Sequence, residues 1–192
     1  AERAAARATA HGHAVGSVRV DRSLVEAAAL LHDIDKLLPA EHPVRRLPHG
    51  HAGAAWLAER GLDRLAPAVA DHPVTRLGDN AFWERWNHEA SLEAKIVAYA
   101  DKRVAQRLAP MAARFGDWER RHPSAGPGAR AGAWSRETAS RVRERAAELE
   151  WQVTRAAGVE PHEVARLRWT TAALEQARAD ARAGAPAETT GR

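Results

Sequence analysis

The chemical question in this chain starts from two adjacent residues, His32 and Asp33. Imidazole and carboxylate together suit Mn, Fe, Co, Ni or Zn, whereas carboxylates alone suit Mg. The sequence contains no cysteine, so disulfides and thiolate metal sites are excluded and a transition-metal site must draw on His, Asp and Glu. The two oxygens of Asp33 can bridge a pair of ions. Two ions about 3.5–4 Å apart can activate water and stabilise the leaving oxygen in a phosphoryl transfer. Lys36 follows His32 by one helical turn, where its ammonium can neutralise a phosphate or orient the attacking water. Asp101 comes one residue after Ala100 and four after Val97, which directs its carboxylate toward the apolar face of a helix. A charge there must be paired or metal-bound, because burying it alone is costly. Taken singly, each residue has a plain structural reading: a histidine packed at a helix end, a capping aspartate, a surface lysine. What they do together depends on the elements that carry them.

Those elements read as helices almost throughout. Alanine, leucine, arginine and glutamate are abundant, and all favour helix. The alternating β-branched runs of strands are missing. Residues 2–10 read as the end of a first helix, broken by Gly12 and Gly16. A second helix begins at Ser23 with the capping box Ser23-x-x-Glu26. It carries Leu24, Ala28, Leu31 and His32 on one face and closes near Pro39. A third runs from Pro48-His49 to Gly61, which makes a good stop. A short fourth spans Asp63 to Asp71 and ends before His72-Pro73. Residues 74–90 read as irregular or weakly helical, with Trp83 and Trp86 as packing anchors. A fifth helix runs from Ser91 to about Leu108, with Ile96, Val97, Ala100 and Val104 at helical spacing. A Gly/Pro/Ala-rich stretch from His122 to Ala133 reads as a loop. Two charged helices follow, about 135–157 and 161–183, separated by Gly158 and Pro161. No internal repeat is visible.

Four stretches in this order carry a resemblance. His32-Asp33-Ile34-Asp35-Lys36 is similar to the signature of the HD superfamily of metal-dependent phosphohydrolases, whose usual form is His-Asp-Ile-Gly-Lys. Asp35 stands here where that form has glycine, which changes the local charge. His49-x-x-x-Gly53-Ala54-x-x-Leu57 resembles the third motif of the multi-histidine HD subgroups. Ala70-Asp71-His72 resembles the point after a short helix where those subgroups place another histidine. Lys95-Ile96-Val97-x-Tyr99-Ala100-Asp101-Lys102 resembles the closing motif, with its ligating aspartate. The resemblance covers residues 24–104. It implies an all-α fold, an HD-domain helical bundle, and metal ligands at His32, Asp33, His49, His72 and Asp101. Asp33 and Lys36 would take catalytic roles, and the cofactor would be one or two divalent ions (Mn, Fe, Co, Ni, Zn or Mg). His51 competes with His49, and the spacing to Gly53-Ala54 favours His49. His42, His88, His122 and His162 fit no motif and read as surface residues.

The domain organisation expected is an HD domain over residues 1–118, a linker over 119–133, an accessory helical hairpin over 134–183 and a disordered tail over 184–192. The resemblance implies hydrolysis of a phosphate ester or anhydride, with a nucleotide or similar small phosphate compound as the substrate. His72 is followed by Pro73-Val74-Thr75 in place of the glycine–tyrosine–proline motif of the cyclic-dinucleotide phosphodiesterases, which argues against that substrate. A different class of reading is a degenerate HD module that binds a nucleotide or a partner without turnover. A third is a basic helical nucleic-acid binder, since the net charge is +4; no nucleic-acid-binding motif supports it. No apolar run approaches a membrane span and no secretory signal is present, so a cytoplasmic location is the default. The chain begins at Ala1, and Ala1-Glu2-Arg3 reads as mid-helix. HD domains carry an initial histidine early on the first helix, whereas His11 and His13 flank Gly12 near its end. The expectation is that this chain is a fragment cut just after that histidine.

Overall fold

The computed structural model describes residues 19–104, 108–121 and 134–164, with positions 175 and 179. Among these residues the fold is all-α. They contain no sheet, only an isolated bridge between Val104 and Leu108. The helices are α1 (Arg22–Leu31), α2 (Ile34–Leu37), α3 (His51–Ala58), α4 (Ala66–Ala70), α5 (Asn80–Glu89), α6 (Leu92–Arg103), α7 (Met111–Arg121) and α8 (Arg136–Ala156). Tight 3-10 turns at Pro43–Arg46, Asp63–Leu65 and Val74–Gly78 join several of them. No helix among the described residues is long and apolar enough to cross a membrane.

Two apolar clusters hold the helices together. The first gathers Val25 and Ala28 of α1, Leu57 of α3, Ala68 and Val69 of α4, and Ala94 and Val97 of α6. The second gathers Leu77, Phe82 and Trp86, Ala98 and Tyr99 of α6, Met111 and Phe115 of α7, and Val142, Ala146, Leu149 and Val153 of α8. Helix α6 therefore lies between the clusters, with Val97 facing one and Ala98 the other. Each fully buried aliphatic side chain contributes about 1.5–3 kcal/mol. A buried polar contact reinforces the α6–α8 packing: the Tyr99 hydroxyl and Arg103 Nη1 both donate to Glu150 Oε1, each at 3.0 Å.

Several boundaries differ from the sequence reading for identifiable reasons. The cap of α1 is Asp21, whose side chain accepts from Leu24 N, so the Ser23-x-x-Glu26 box does not form. Glu93 of α6 accepts the Asp21 N–H at 2.9 Å, so a distant carboxylate fills the role expected of Glu26, which instead pairs with Arg22. Residues 80–89 form a regular helix rather than an irregular stretch. Asp79 caps it by accepting from Phe82 N, and Phe82 and Trp86 are buried in the second cluster. Helix α6 ends at Arg103 rather than near Leu108, with Val104 extended and half-exposed. Helix α7 runs to Arg121, into the segment expected to be a linker. Helix α8, expected as the first arm of a hairpin, contributes to a core cluster shared with α5, α6 and α7. The first helix over 2–10, residues 122–133, most of the second arm of the hairpin and the tail over 184–192 lie outside the described residues.

Candidate metal centre

His32 and Asp33 occupy the break between α1 and α2: His32 ends α1 and Asp33 precedes α2. His72 follows the end of α4, buried to 1% exposure. His49 is not on a helix, as the sequence reading had it. It lies two residues before α3, and Gly50 makes the turn between them. Gly50 has φ +86°, and a Cβ there would lie 2.5 Å from the Ala70 carbonyl oxygen and 2.9 Å from Pro73. Only glycine lets the His49 loop close onto the loop that carries His72. Asp101 sits on α6. Beside it the buried Lys102 ammonium donates to the carbonyls of His72 (2.7 Å) and Ala98 (3.0 Å), tying the His72 loop to α6.

The five expected ligands come together. His32, Asp33 and His72 offer donor atoms within 4.8 Å of one another. Asp33 Oδ1 lies 3.3 Å from His49 Nε2 and 3.6 Å from His72 Nε2. His32 Nε2 lies 3.6 Å from Asp33 Oδ2 and 3.6 Å from Asp101 Oδ1. His32 and His49 each meet the His72 ring edge-on, at 4.9 Å between centroids. His49, not His51, faces Asp33. Lys36 Nζ lies 2.8 Å from both Asp33 oxygens and donates to Oδ2, at the exposed rim.

The ring nitrogens are sorted by their partners. His32 Nδ1 meets the Ala29 carbonyl at 2.8 Å, His72 Nδ1 the Val69 carbonyl at 2.6 Å, and His49 Nδ1 the Asp35 carboxylate at 2.8 Å. Carbonyls and carboxylates only accept, so each Nδ1 carries the proton and donates it. In the neutral ring, Nε2 then presents a lone pair, and all three Nε2 atoms face the two carboxylates. The gaps of 3.3–3.6 Å are longer than a good hydrogen bond. They match neighbouring ligands that share one ion, which stand about 3.0–3.6 Å apart when each bond is about 2.0–2.2 Å. Asp33 Oδ1 is buried, with the Lys36 ammonium at 2.8 Å and the Nε2 atoms of His49 and His72 around it. The donor set therefore fits a divalent metal.

Protonation agrees with that fit. Burial pushes His72 down to about 4, so it is neutral and able to ligate. Burial works to raise Asp101, but His32 and Lys102 outweigh it and hold the carboxyl at about 2. Burial also opposes ionisation of Asp33, and the Lys36 hydrogen bond with the His32 charge lowers it nonetheless. The Asp101 contact raises His32 above its ordinary value against the effect of burial, so a proton and a metal compete for its Nε2.

The sequence reading passed over Asp35 as a departure from the usual motif. It is 6% exposed and in contact with His49. The available signal was a carboxylate at a motif position whose usual residue has no side chain. His88 and His162 lie on the surface, as expected, while His42 is half-buried and caps the turn at Val44. His11, His13 and His122 lie outside the described residues.

Comparison with known proteins adds the family. No curated protein and no solved structure matches the chain. A family model described as the HD domain matches residues 1–106, which takes in α1 to α6 and all five residues of the cluster. With a match over more than half of its length, on an all-helical frame that joins His32 and Asp33 to Asp101, the chain belongs to the HD-domain family.

Proposed function

We propose that this protein is a metal-dependent phosphohydrolase acting on a nucleotide or a related phosphate ester or anhydride, with His32, Asp33, His49, His72 and Asp101 as metal ligands. The observation that carries the reading is the convergence of three lone-pair Nε2 atoms and two ionised carboxylates at 3.3–3.6 Å, with each Nδ1 held from behind. One or two divalent ions bound there would polarise a phosphoryl oxygen and lower the pKa of a bound water.

The chain's own residues would supply the rest. Asp33 and Asp101 bring two negative charges that balance a divalent ion and leave the site receptive to an anionic substrate. Lys36, at the rim and 57% exposed in its side chain, is placed to exchange its Asp33 contact for a phosphate oxygen as substrate enters. That exchange neutralises charge on the phosphate and frees an Asp33 oxygen. In the net reaction a water oxygen bonds to phosphorus, the ester or anhydride P–O bond breaks, and a proton passes to the leaving oxygen. The Lys102 contacts keep His72 and Asp101 in fixed relation throughout.

The test is metal analysis of the purified protein, then a nucleotide hydrolysis screen with added Mn(II), comparing wild type with Asp33→Asn and His72→Ala. The expected result is bound metal and hydrolysis in the wild type, both lost in the variants without loss of fold. Metal binding without turnover of any phosphate substrate would favour a binding module. Absence of metal from a folded wild type would end the reading.

A further inference from the structure

His32 and His72 share a device that His49 cannot use. Each of the first two sits at the C-terminal end of a helix and donates Nδ1–H to the carbonyl three residues earlier, Ala29 or Val69. The last carbonyls of a helix have no partner within it, so they are available as acceptors. His49 precedes a helix. Gly50 and α3 follow it, and no turn of α-helix stands immediately before it to offer such a carbonyl. If its ring is to present Nε2 to the cluster, the acceptor for Nδ1–H must come from elsewhere in the chain.

Asp35 is that acceptor. Its Oδ2 lies 2.8 Å from His49 Nδ1, while its backbone carbonyl is held at 2.8 Å by Arg45 Nη1. The packing around it is tight. A Cβ at Gly53 would come within 3.2 Å of Val69 and 3.3 Å of Ile34, and in ordinary contact at 3.7 Å with Asp35 Oδ1, so the bare glycine in α3 lets Val69 and Ile34 pack closely beside the carboxylate. The second oxygen, Oδ1, is buried with no hydrogen-bond partner. A buried carboxylate that leaves one oxygen unsatisfied is a costly choice for packing alone. It is well suited to holding one imidazole hard.

We propose that Asp35 is a positioning residue that fixes the Nδ1–H tautomer and ring orientation of His49, doing with a side chain what the main chain does for His32 and His72. This rests on the reading of the cluster as a metal site. It accounts for a charged residue where the related motif has glycine.

The experiment uses the full chain labelled with ¹⁵N at histidine, and the variants Asp35→Asn and Asp35→Gly. Nitrogen chemical shifts of the metal-free protein, at a pH where the rings are neutral, report each tautomer. The wild type should show His49 protonated at Nδ1. Asp35→Gly should move it toward the Nε2–H form that free imidazole prefers, and Asp35→Asn should largely keep it, since the amide oxygen still accepts. Mn(II) affinity should fall about 10–100-fold in Asp35→Gly and less in Asp35→Asn. In a His49→Ala background, Asp35→Gly should have no further effect. An Nε2–H tautomer for His49 in the wild type overturns the proposal, even if neither variant folds. So does metal affinity within twofold of wild type in folded Asp35→Gly. If the wild type shows the Nδ1–H tautomer but binds no metal, the metal reading fails and the positioning of His49 by Asp35 stands.

Discussion

Gly50→Ala tests how closely the site depends on two loops touching. The substitution adds one methyl group and no charge. Two penalties follow from the structure. Gly50 has φ +86° with ψ −56°, a conformation that residues with a Cβ rarely adopt, at a cost of about 1–3 kcal/mol. The new Cβ would also lie 2.5 Å from the Ala70 carbonyl and 2.9 Å from Pro73, where ordinary contacts begin near 3.4 Å. The loops must then separate by roughly 0.5–1 Å, or the ring of Pro73 must shift. Metal sites tolerate errors of only about 0.2 Å in ligand distance, and these loops carry His49 and His72. Metal affinity should therefore fall by more than the loss of fold stability implies. The assay is thermal unfolding with chelator and with Mn(II), beside a direct Mn(II) titration. A lowered Tm of the metal-free protein, about 2–10 °C for a chain of this size, should accompany a tenfold or greater loss of metal affinity. Unchanged Tm and unchanged affinity would refute the reasoning. A lowered Tm with native affinity would show that the loops matter to the fold alone.

Other outcomes follow from the packing and the charges. Leu149 of α8 has 0% exposure within the second cluster, so Leu149→Ala should cost about 2–5 kcal/mol, read as a fall in Tm with metal content preserved; an unchanged Tm would mean that α8 is not part of the cooperative unit. His72 titrates near 4 when folded, below its ordinary value of 6.5, so between those values the unfolded chain binds a proton that the folded chain refuses. The chelated protein should therefore lose stability through His72 as pH falls from about 6.5 toward about 4, by at most about 3 kcal/mol. Denaturant melts of wild type and His72→Gln should differ in slope over that window, and parallel curves would contradict the assignment. Lys102→Met removes the tie between the His72 carbonyl and α6. It should weaken metal binding several-fold while near-ultraviolet circular dichroism stays native, and wild-type affinity in that variant would show that the tie is dispensable.

What the sequence made legible was local or carried by motif. The helical class followed from composition, and the set of clustered His and Asp residues from residue types in a recognised order. The stop at His72-Pro73 followed from the restriction that proline places on its predecessor. What it hid depended on tertiary partners. Asp21 rather than Ser23 caps α1 because Glu93, far along the chain, accepts the Asp21 N–H. Residues 80–89 looked weak as a helix because their apolar side chains are few and bulky; Phe82 and Trp86 are buried only within the cluster that α6, α7 and α8 assemble in the fold. His49 was read as the start of α3, which the structure begins at His51 after the Gly50 turn. The requirement at Gly50 comes from the Ala70 carbonyl across the site. Asp35 was seen as an exception to a motif, since its partner lies 14 residues away and the contact needs the fold.

The placement of α6 separates the segment that matches the family from the segment that packs as one core. The family match ends at residue 106, just past the end of α6. Yet Met111, Phe115, Val142, Ala146, Leu149 and Val153, all beyond that point, pack with Leu77, Phe82, Trp86, Ala98 and Tyr99 inside it. The helix that carries Asp101 thus has one side packed within the family match and the other partly on residues beyond it. Substitutions in α7 or α8 can tilt or slide α6 by fractions of an ångström without altering any motif residue. The spacing of His32, Asp33 and Asp101 therefore depends in part on packing outside the family segment, where no signature residue lies.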